Sequence, residues 1–570
     1  MIETNGLSGQ APNGSKLDTA RAGELEVLLQ HCVEKLVEFV RSADGEVQSH
    51  QTQQEISKSC LVDYHSPRAL SEVLGDKISL AQDGTGLDGF RTTVDTLLRY
   101  SVNTSAPGFL DKLYSAPLAP GIAAELILAV LNTNVHVYQV SPVLTLIEKY
   151  TTKTLTRLFG FDGPRCGGIS VQGGSASNTT SIVIARNTLF PQTKVHGNHA
   201  DGLDLVLFTS AHGHYSIEKA AQQCGFGSAA VVSVPVDPET GSMIASEFSH
   251  LVKQVKSQGK TPFYVNCTAG TTVLGSFDPF TEISAIAKEH NMWMHIDGAW
   301  GGSFVFSPSL SRDRLRGCHL ADSIAINPHK MMGIPVTCSF LLGKDLKQFH
   351  TANTLKAGYL FHDADEEGDS APNSSMNSNT GTAEDAWQEP NDLADITLQC
   401  GRRGDSLKAF MAWQYYGTGG YTEKVENAYN TACFLAELVA ASPDLLLVSS
   451  NPPPCLQVCF YYAPGGKSLY GDQAGSDTSK TSSGPKAAEM NGKQNSKVTE
   501  KITRALVQKG FMIDFAPALE GQEASGKFFR AVVNISTPRE TVLRLVKSVE
   551  EVGREVRQQL VGELQKADGL

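Results

Sequence analysis

Four places in the sequence hold side chains that could share one reaction. INPHKMMG (326–333) sets Lys330 between Asn-Pro-His and two methionines, after the apolar run ADSIAI. HIDGAWGG (295–302) ends an apolar run on Asp297 and continues in small residues. FTSAHGHYS (208–216) puts His212 and His214 just past another such run. VQGGSASNTT (171–180) passes through Gly173, Gly174 and Ser175 into a helical pattern. A lysine amine can bond covalently to an aldehyde, and a carboxylate can keep a ring nitrogen protonated. An imidazole can stack on a flat ring, and N–H groups and hydroxyls at a helix start suit a phosphate. Singly, each has a plain structural use: a surface lysine, a turn-capping acid, a core histidine, an ordinary strand-to-helix turn.

Together the four describe one ligand. Pyridoxal 5′-phosphate carries a phosphate, a flat ring, a ring nitrogen that must stay protonated and an aldehyde that takes a lysine. It is the cofactor these residues predict.

The elements that must bring them together are legible as alternating patterns. Strand candidates are GGISVQ (167–172), LDLVLFTS (203–210), TPFYVNCT (261–268), MWMHID (292–297) and DSIAIN (322–327). Helical patterns such as TSIVIARNTLF (180–190) and PFTEISAIAKEHN (279–291) separate several of them. Short buried strands alternating with helices predict an α/β fold around a largely parallel sheet. Ligands of such sheets bind outside the carboxyl ends of the strands, which is where the four groups fall.

Composition narrows the function. The 570 residues are 41% hydrophobic and carry a net charge of −12, which argues against nucleic acid or an anionic membrane as the main partner. No run approaches a membrane span, and the polar start MIETNGLSGQAPNGSK has no apolar signal region. Eleven cysteines without a C-x-x-C pair predict reduced thiols in the cytoplasm and no metal site. Residues 1–18 read as disordered. Residues 19–100 read as a helical segment, led by the amphipathic ELEVLLQHCVEKLVEFVRSA (24–43), that packs on a dimer partner. Residues 101–405 form the large cofactor domain, with an acidic and polar mobile loop at 363–395. Residues 406–570 form a small C-terminal α+β domain with a flexible insertion at 464–498.

The motifs NTNVHVYQVSPV, QGGSASN, SAHGHYSI, CTAGTTVLGSFDP, HIDGAWGG, NPHKMMG, AGYLF, QCGRRGD and FFRAVV occur in that order. With them the chain resembles the group II pyridoxal-phosphate decarboxylases, above all those acting on glutamate, aspartate and cysteine sulfinate. The similarity spans roughly residues 100–362 and 396–565. It implies PLP-dependent fold type I (aspartate-aminotransferase-like), with a large, mostly parallel sheet domain and a small α+β domain. It also implies a homodimer with shared active sites and α-decarboxylation of a small acidic amino acid. Carried over by position, Lys330 would bear the cofactor, Asp297 would pair with the pyridine nitrogen, and His214 and Ala299 would cover the two ring faces. Ser175, Ala176, Ser177, Asn327 and His329 would hold the phosphate, and Thr272 would lie near the phenolic oxygen. Arg530 would grip a substrate carboxylate, with Lys112, Asn134 and His136 in the substrate site.

Three positions depart from the glutamate decarboxylases, which carry a glutamine at Lys112, an aromatic residue at His136 and a proton-donating tyrosine at Asn391. Residues 363–400 hold no tyrosine at all. Asparagine is a very poor acid, so a second outcome is oxidative deamination or C–C bond formation in place of simple protonation. A third, a scaffold without catalysis, is opposed by the intact Lys330, Asp297 and His214.

Overall fold

The computed structural model describes residues 21–52, 59–80, 82–114, 116–355, 387–466 and 485–567. The start (1–18), AGYLF, most of the expected mobile loop and the 467–484 part of the insertion lie outside the described residues. Two compact units emerge, one from Leu110–Thr499 and Ile513–Arg539, the other from Met1–Phe109, Glu500–Met512 and Glu540–Leu570.

The larger unit is built on a seven-stranded sheet. Its strands are β1 (Gly167–Val171), β2 (Leu205–Ser210), β3 (Val231–Val234), β4 (Thr261–Thr268), β5 (Trp293–Gly298), β6 (Ser323–Ile326) and β7 (Ser339–Gly343). They lie in the order β1-β7-β6-β5-β4-β2-β3. All neighbours pair in parallel except β7, which runs antiparallel to β1 and β6. The five expected strands are all present, and β1, β5, β6 and β7 are buried at every position. β3 and β7 were not expected. β7 escapes an alternating strand–helix reading because only the short 327–338 connection separates it from β6. Ile169, Ile182, Leu207, Phe263 and Leu341 share the core between the sheet and the Gly174–Leu189 helix. Burying each such side chain contributes about 1.5–3 kcal/mol.

A second, antiparallel sheet includes β8 (Leu445–Leu447), β9 (Gln457–Tyr462), β10 (Met512–Ala516) and β11 (Phe528–Val532), in the order β10-β11-β9-β8. The flexible insertion expected through residue 498 needs correction, because Pro485–Gln508 is one helix. Its apolar stripe, Val498, Ile502 and Leu506, marks only the later turns, and the turns where it begins bury Asn495 and Thr499, so hydrophobic periodicity could not reveal where the helix starts. Asn495 Nδ2 donates to Ala524 O (3.3 Å), Thr499 Oγ1 donates to Lys527 O (2.8 Å), and Ser496 Oγ accepts from Lys527 N (3.1 Å). The end of the expected mobile loop is likewise anchored. Leu393 and Ile396 are buried, and Asp395 Oδ1 accepts from Thr354 Oγ1 (2.7 Å).

In the smaller unit the first helix, Arg21–Gln51, packs in part on its own chain, not wholly on a partner. Its last turns bury Ala43, Glu46 and His50; His50 Nδ1 lies 2.9 Å from Thr541 Oγ1, and the ring stacks on Phe511. Its earlier turns leave Leu25, Val33, Leu36, Val37 and Val40 exposed.

Candidate active site

Because β1, β2, β4, β5 and β6 all point the same way, their carboxyl ends share one edge of the sheet. A cavity of about 260 Å³ opens there, and the residues after each of these strands line it. Lys330, Asp297, His214, Ala299, Ser175, Thr272, Asn327 and His329 all reach this wall.

Asp297 sits at the end of β5 and is 6% exposed. Its Oδ2 accepts from Asn178 Nδ2 (2.8 Å) and its Oδ1 from the backbone N of Ala299 (3.1 Å). The amide of Asn178 is itself oriented by a buried chain. Trp293 Nε1 can only donate, and it donates to Ser323 Oγ (2.9 Å). The Ser323 hydroxyl is then directed at His295 Nδ1, 2.8 Å away. Asn178 Oδ1, 3.1 Å from His295 Nε2, can only accept, so the proton sits on Nε2 and Nδ1 accepts from Ser323. Burial pushes His295 down to about 4, so the ring stays neutral and the chain keeps one direction. Every link has one donor and one acceptor, and the chain ends by presenting an N–H to the Asp297 carboxylate.

Lys330 lies in the short helix Pro328–Met331 that follows β6. Burial lowers its pKa below the ordinary lysine value, against the pull of Asp297. A larger share of the amine is then neutral and nucleophilic. His214 is also lowered by burial, partly offset by Asp297. Its Nδ1 accepts from Ser216 N (3.2 Å), which leaves the proton on Nε2.

The turn after β1 is shaped by glycine. Gly173 holds φ +93°, and a Cβ on Gly174 would lie 3.1 Å from Ala299 Cβ and 3.2 Å from Asn327. The Asn327 amide, turned so that both its ends are satisfied, accepts from Gly174 N (3.1 Å) and donates to Ile326 O and Ser339 Oγ (3.2 Å each). It thereby fastens the helix start whose positive end faces the cavity. His329 Nδ1 is held 2.8 Å from Cys338 O, and burial lowers its pKa to about 4. Ala176 packs on the core below, and Ser177 is fully buried.

Sequence reasoning did not name Asn178, His295, Thr268 or Asp514. Asn178 had a signal, since it ends QGGSASN one helical turn after Gly174. Thr268 lines the cavity, and its hydroxyl, like that of Ser177, is buried with no partner among the described residues. Arg530 on β11 is 6% exposed. Its Nη1 donates to the carbonyl of Thr272 (2.9 Å), and its Nη2 pairs with Asp514 (2.7 Å). Lys112 Nζ meets the same Asp514 oxygen at 2.8 Å. On the same wall, Trp300 Nε1 donates to Gln457 Oε1, and Gln457 Nε2 donates to Thr271 O, both at 2.8 Å.

Asn134, His136 and Asn391 are not on this wall. Asn134 Oδ1 accepts from Arg402 N (2.8 Å), and His136 O accepts from Ala394 N (3.0 Å). Asn391 Oδ1 accepts from Lys149 Nζ (3.3 Å).

Pyridoxal phosphate fits this set. The wall offers a partly neutral amine, a carboxylate held by its own donors, and a ring and a methyl group to cover two faces. A helix start and two hydroxyls in want of a partner complete it. Removing Asn178 should loosen that fit. A hydrogen bond to a charged group is worth about 1.5–3 kcal/mol, so Asn178→Ala should weaken cofactor binding about tenfold or more. Spectroscopic titration of the stripped protein with pyridoxal phosphate measures this directly; unchanged affinity would show that the chain does not serve Asp297.

Comparison with known proteins agrees with the geometry. Residues 74–463 match the model of the pyridoxal-dependent decarboxylase conserved domain. An L-aspartate decarboxylase of Metarhizium robertsii is 45% identical over 94% of this chain and 98% of its own. A glutamate decarboxylase-like protein of Gibberella zeae is 37% identical over 92% and 98%. The crystal structure of mouse CSAD superposes with a TM-score of 0.77 at 28% identity, covering 94% of this chain and 99% of that one. With Lys330, Asp297 and His214 converging on one cavity and more than half its length matched, the chain belongs to the pyridoxal-dependent decarboxylase family.

Proposed function

We propose that the chain removes the α-carboxylate of an acidic amino acid, the candidates being aspartate, glutamate and cysteine sulfinate. Arg530 carries this reading. A buried guanidinium bonded to the backbone of a cavity-lining residue offers a fixed charge for a substrate's side-chain anion. The names of the aspartate and glutamate decarboxylase-like relatives support it.

Bound pyridoxal phosphate supplies the sink for the electron pair left on Cα when carbon dioxide departs. Lys330 would hold the cofactor through its amine. Asp297, fixed by Asn178 and Ala299 N, would keep the proton on the pyridine nitrogen. His214 and Ala299 would cover the ring faces, and His214 Nε2 or a water beside it would be the proton donor toward Cα. Ser175, Ala176, Ser177, Asn327 and His329 would receive the phosphate, Thr272 would border the phenolic oxygen, and Lys112 would assist Arg530.

The active form is a cytoplasmic homodimer. Ile122, Leu126, Ile127 and Val130 on one helix, and Val143, Leu146 and Tyr150 on another, are exposed large apolar side chains, as expected of an interface. Asn134 and His136 lie between these two helices and would serve the second copy's site. Among the described residues no helix is long and apolar enough to cross a membrane.

Arg530→Ala tests the substrate class. Losing a desolvated charge pair costs roughly 2–5 kcal/mol, so kcat/KM for acidic substrates should fall about 30-fold or more. An amino acid without a side-chain anion should be much less affected. Equal losses for both would remove Arg530 from specificity.

Asn391 favours a second reading, in which the reaction ends in an aldehyde or a coupled product. Delivery of a proton by a positioned side chain is worth about 10²–10⁴-fold. Asn391→Tyr should therefore speed release of the simple amine and suppress any other product, as read by mass spectrometry. Wild type and variant giving amine alone, at equal rates, would leave this second reading without support.

A further inference from the structure

The charge that is to receive the substrate's side chain already has an anion on it. β10 and β11 pair with Asp514 directly opposite Arg530. One oxygen of Asp514, Oδ2, lies 2.7 Å from Arg530 Nη2 and 2.8 Å from Lys112 Nζ. Its other oxygen accepts from Phe515 N (2.9 Å), so the carboxylate is held in place from its own backbone. Arg530 Nη2 also donates to Asp111 O (3.3 Å), which uses both of its hydrogens. Nη1 gives one to Thr272 O, and Nε is buried with no partner among the described residues.

Two consequences follow. First, Arg530 cannot offer its paired Nη1–Nη2 fork to a second carboxylate while Asp514 and Asp111 O keep Nη2. Second, the cluster is close to charge balance before substrate arrives. Arg530 and Lys112 face Asp514, and the Asp111 carboxylate lies 3.5 Å from Lys112. Burial opposes the charge on Lys112, yet its hydrogen bond to Asp514 and its attraction to Asp111 hold its pKa above the ordinary value. Asp514 thus does to Arg530 what a substrate's side-chain anion would do.

We infer that Asp514 is a specificity-determining residue, an internal anion that competes with the substrate's side chain for Arg530 and Lys112 and so sets how tightly acidic substrates bind. The inference rests on the reading of Arg530 as the anchor. It makes the site selective by raising the threshold: an anion binds well only if it reaches far enough to replace Asp514 on both cations. A residue that merely held Arg530 in place would act in the opposite sense, since its loss would weaken binding.

The test uses the holoenzyme and two readouts, KM for aspartate, glutamate and cysteine sulfinate, and calorimetric affinity for the unreactive dicarboxylates succinate and glutarate. Asp514→Asn keeps the shape and an acceptor while removing the charge. It should lower KM for the preferred acidic substrate and tighten dicarboxylate binding, each about tenfold, with KM for an amino acid lacking a side-chain anion unchanged. Asp514→Ser should shift both in the same direction, which guards against misfolding of one variant. Unchanged or weaker anion binding in variants that melt like wild type would overturn the inference. Arg530→Ala separates the two layers. If it abolishes dicarboxylate binding and the Asp514 variants do nothing, only the role of Asp514 fails. If it leaves that binding intact, the anchor fails and the inference falls with it.

Discussion

Lys330→Ala should abolish turnover. Removing a residue that bonds covalently in a reaction costs on the order of 10⁴–10⁶-fold. The fold should survive, because Lys330 follows β6 in a four-residue helix and contributes an amine whose burial disfavours its charge. Melting temperature should therefore stay level or rise slightly. The decisive readout is covalent. Reduction of wild-type holoenzyme with borohydride should leave the cofactor fixed to the peptide containing Lys330, as seen by mass spectrometry. The same treatment of the alanine variant should leave no labelled lysine. Label on another lysine, or normal turnover, would contradict the assignment.

Asp297→Asn should be nearly as severe while changing almost no volume. A neutral amide cannot hold a proton on the pyridine nitrogen through charge, and the ring then accepts electrons poorly. Loss of one preorganised electrostatic contact of this kind costs about 10²–10⁴-fold in kcat. The surroundings make the variant informative. Asn178 Nδ2 and Ala299 N both donate to the Asp297 oxygens, so an amide nitrogen at either position would face a donor. The effect should appear in kcat more than in KM, and the cofactor's absorbance should shift with loss of the ring proton. A loss of less than tenfold would mean that the pyridine nitrogen has another partner.

What the sequence could and could not disclose follows from the range of the interactions. Lys330, Asp297 and His214 were legible because each follows an apolar strand of its own, and parallel strands deliver their ends to one edge. Asn178 was only half legible. Its place one turn after Gly174 shows which face of the helix it shares, but not that the helix crosses β5 so as to reach Asp297. Asp514 is one acid in the run FMIDFA, and only the pairing of β10 with β11 sets it opposite Arg530. The start of the helix Pro485–Gln508 was hidden for a different reason. Its stripe of Val498, Ile502 and Leu506 marks only the later turns, while the turns where it begins bond through asparagine, serine and threonine to the 524–527 backbone and leave the start without an apolar signal. The packing of the end of the first helix was not legible, because amphipathicity tells that a covering surface exists, not that His50 meets Thr541 of the same chain.

The most direct measurement is product analysis of the purified protein, loaded with pyridoxal phosphate, against a panel of acidic, neutral and aromatic amino acids. Amine and aldehyde would be identified by mass spectrometry, with carbon dioxide and oxygen traced together. The proposed function predicts one amine and one carbon dioxide per turnover, without oxygen uptake, from at least one of aspartate, glutamate and cysteine sulfinate, and little from the rest. Carbon dioxide release only from neutral or aromatic amino acids, or none from any, would contradict it.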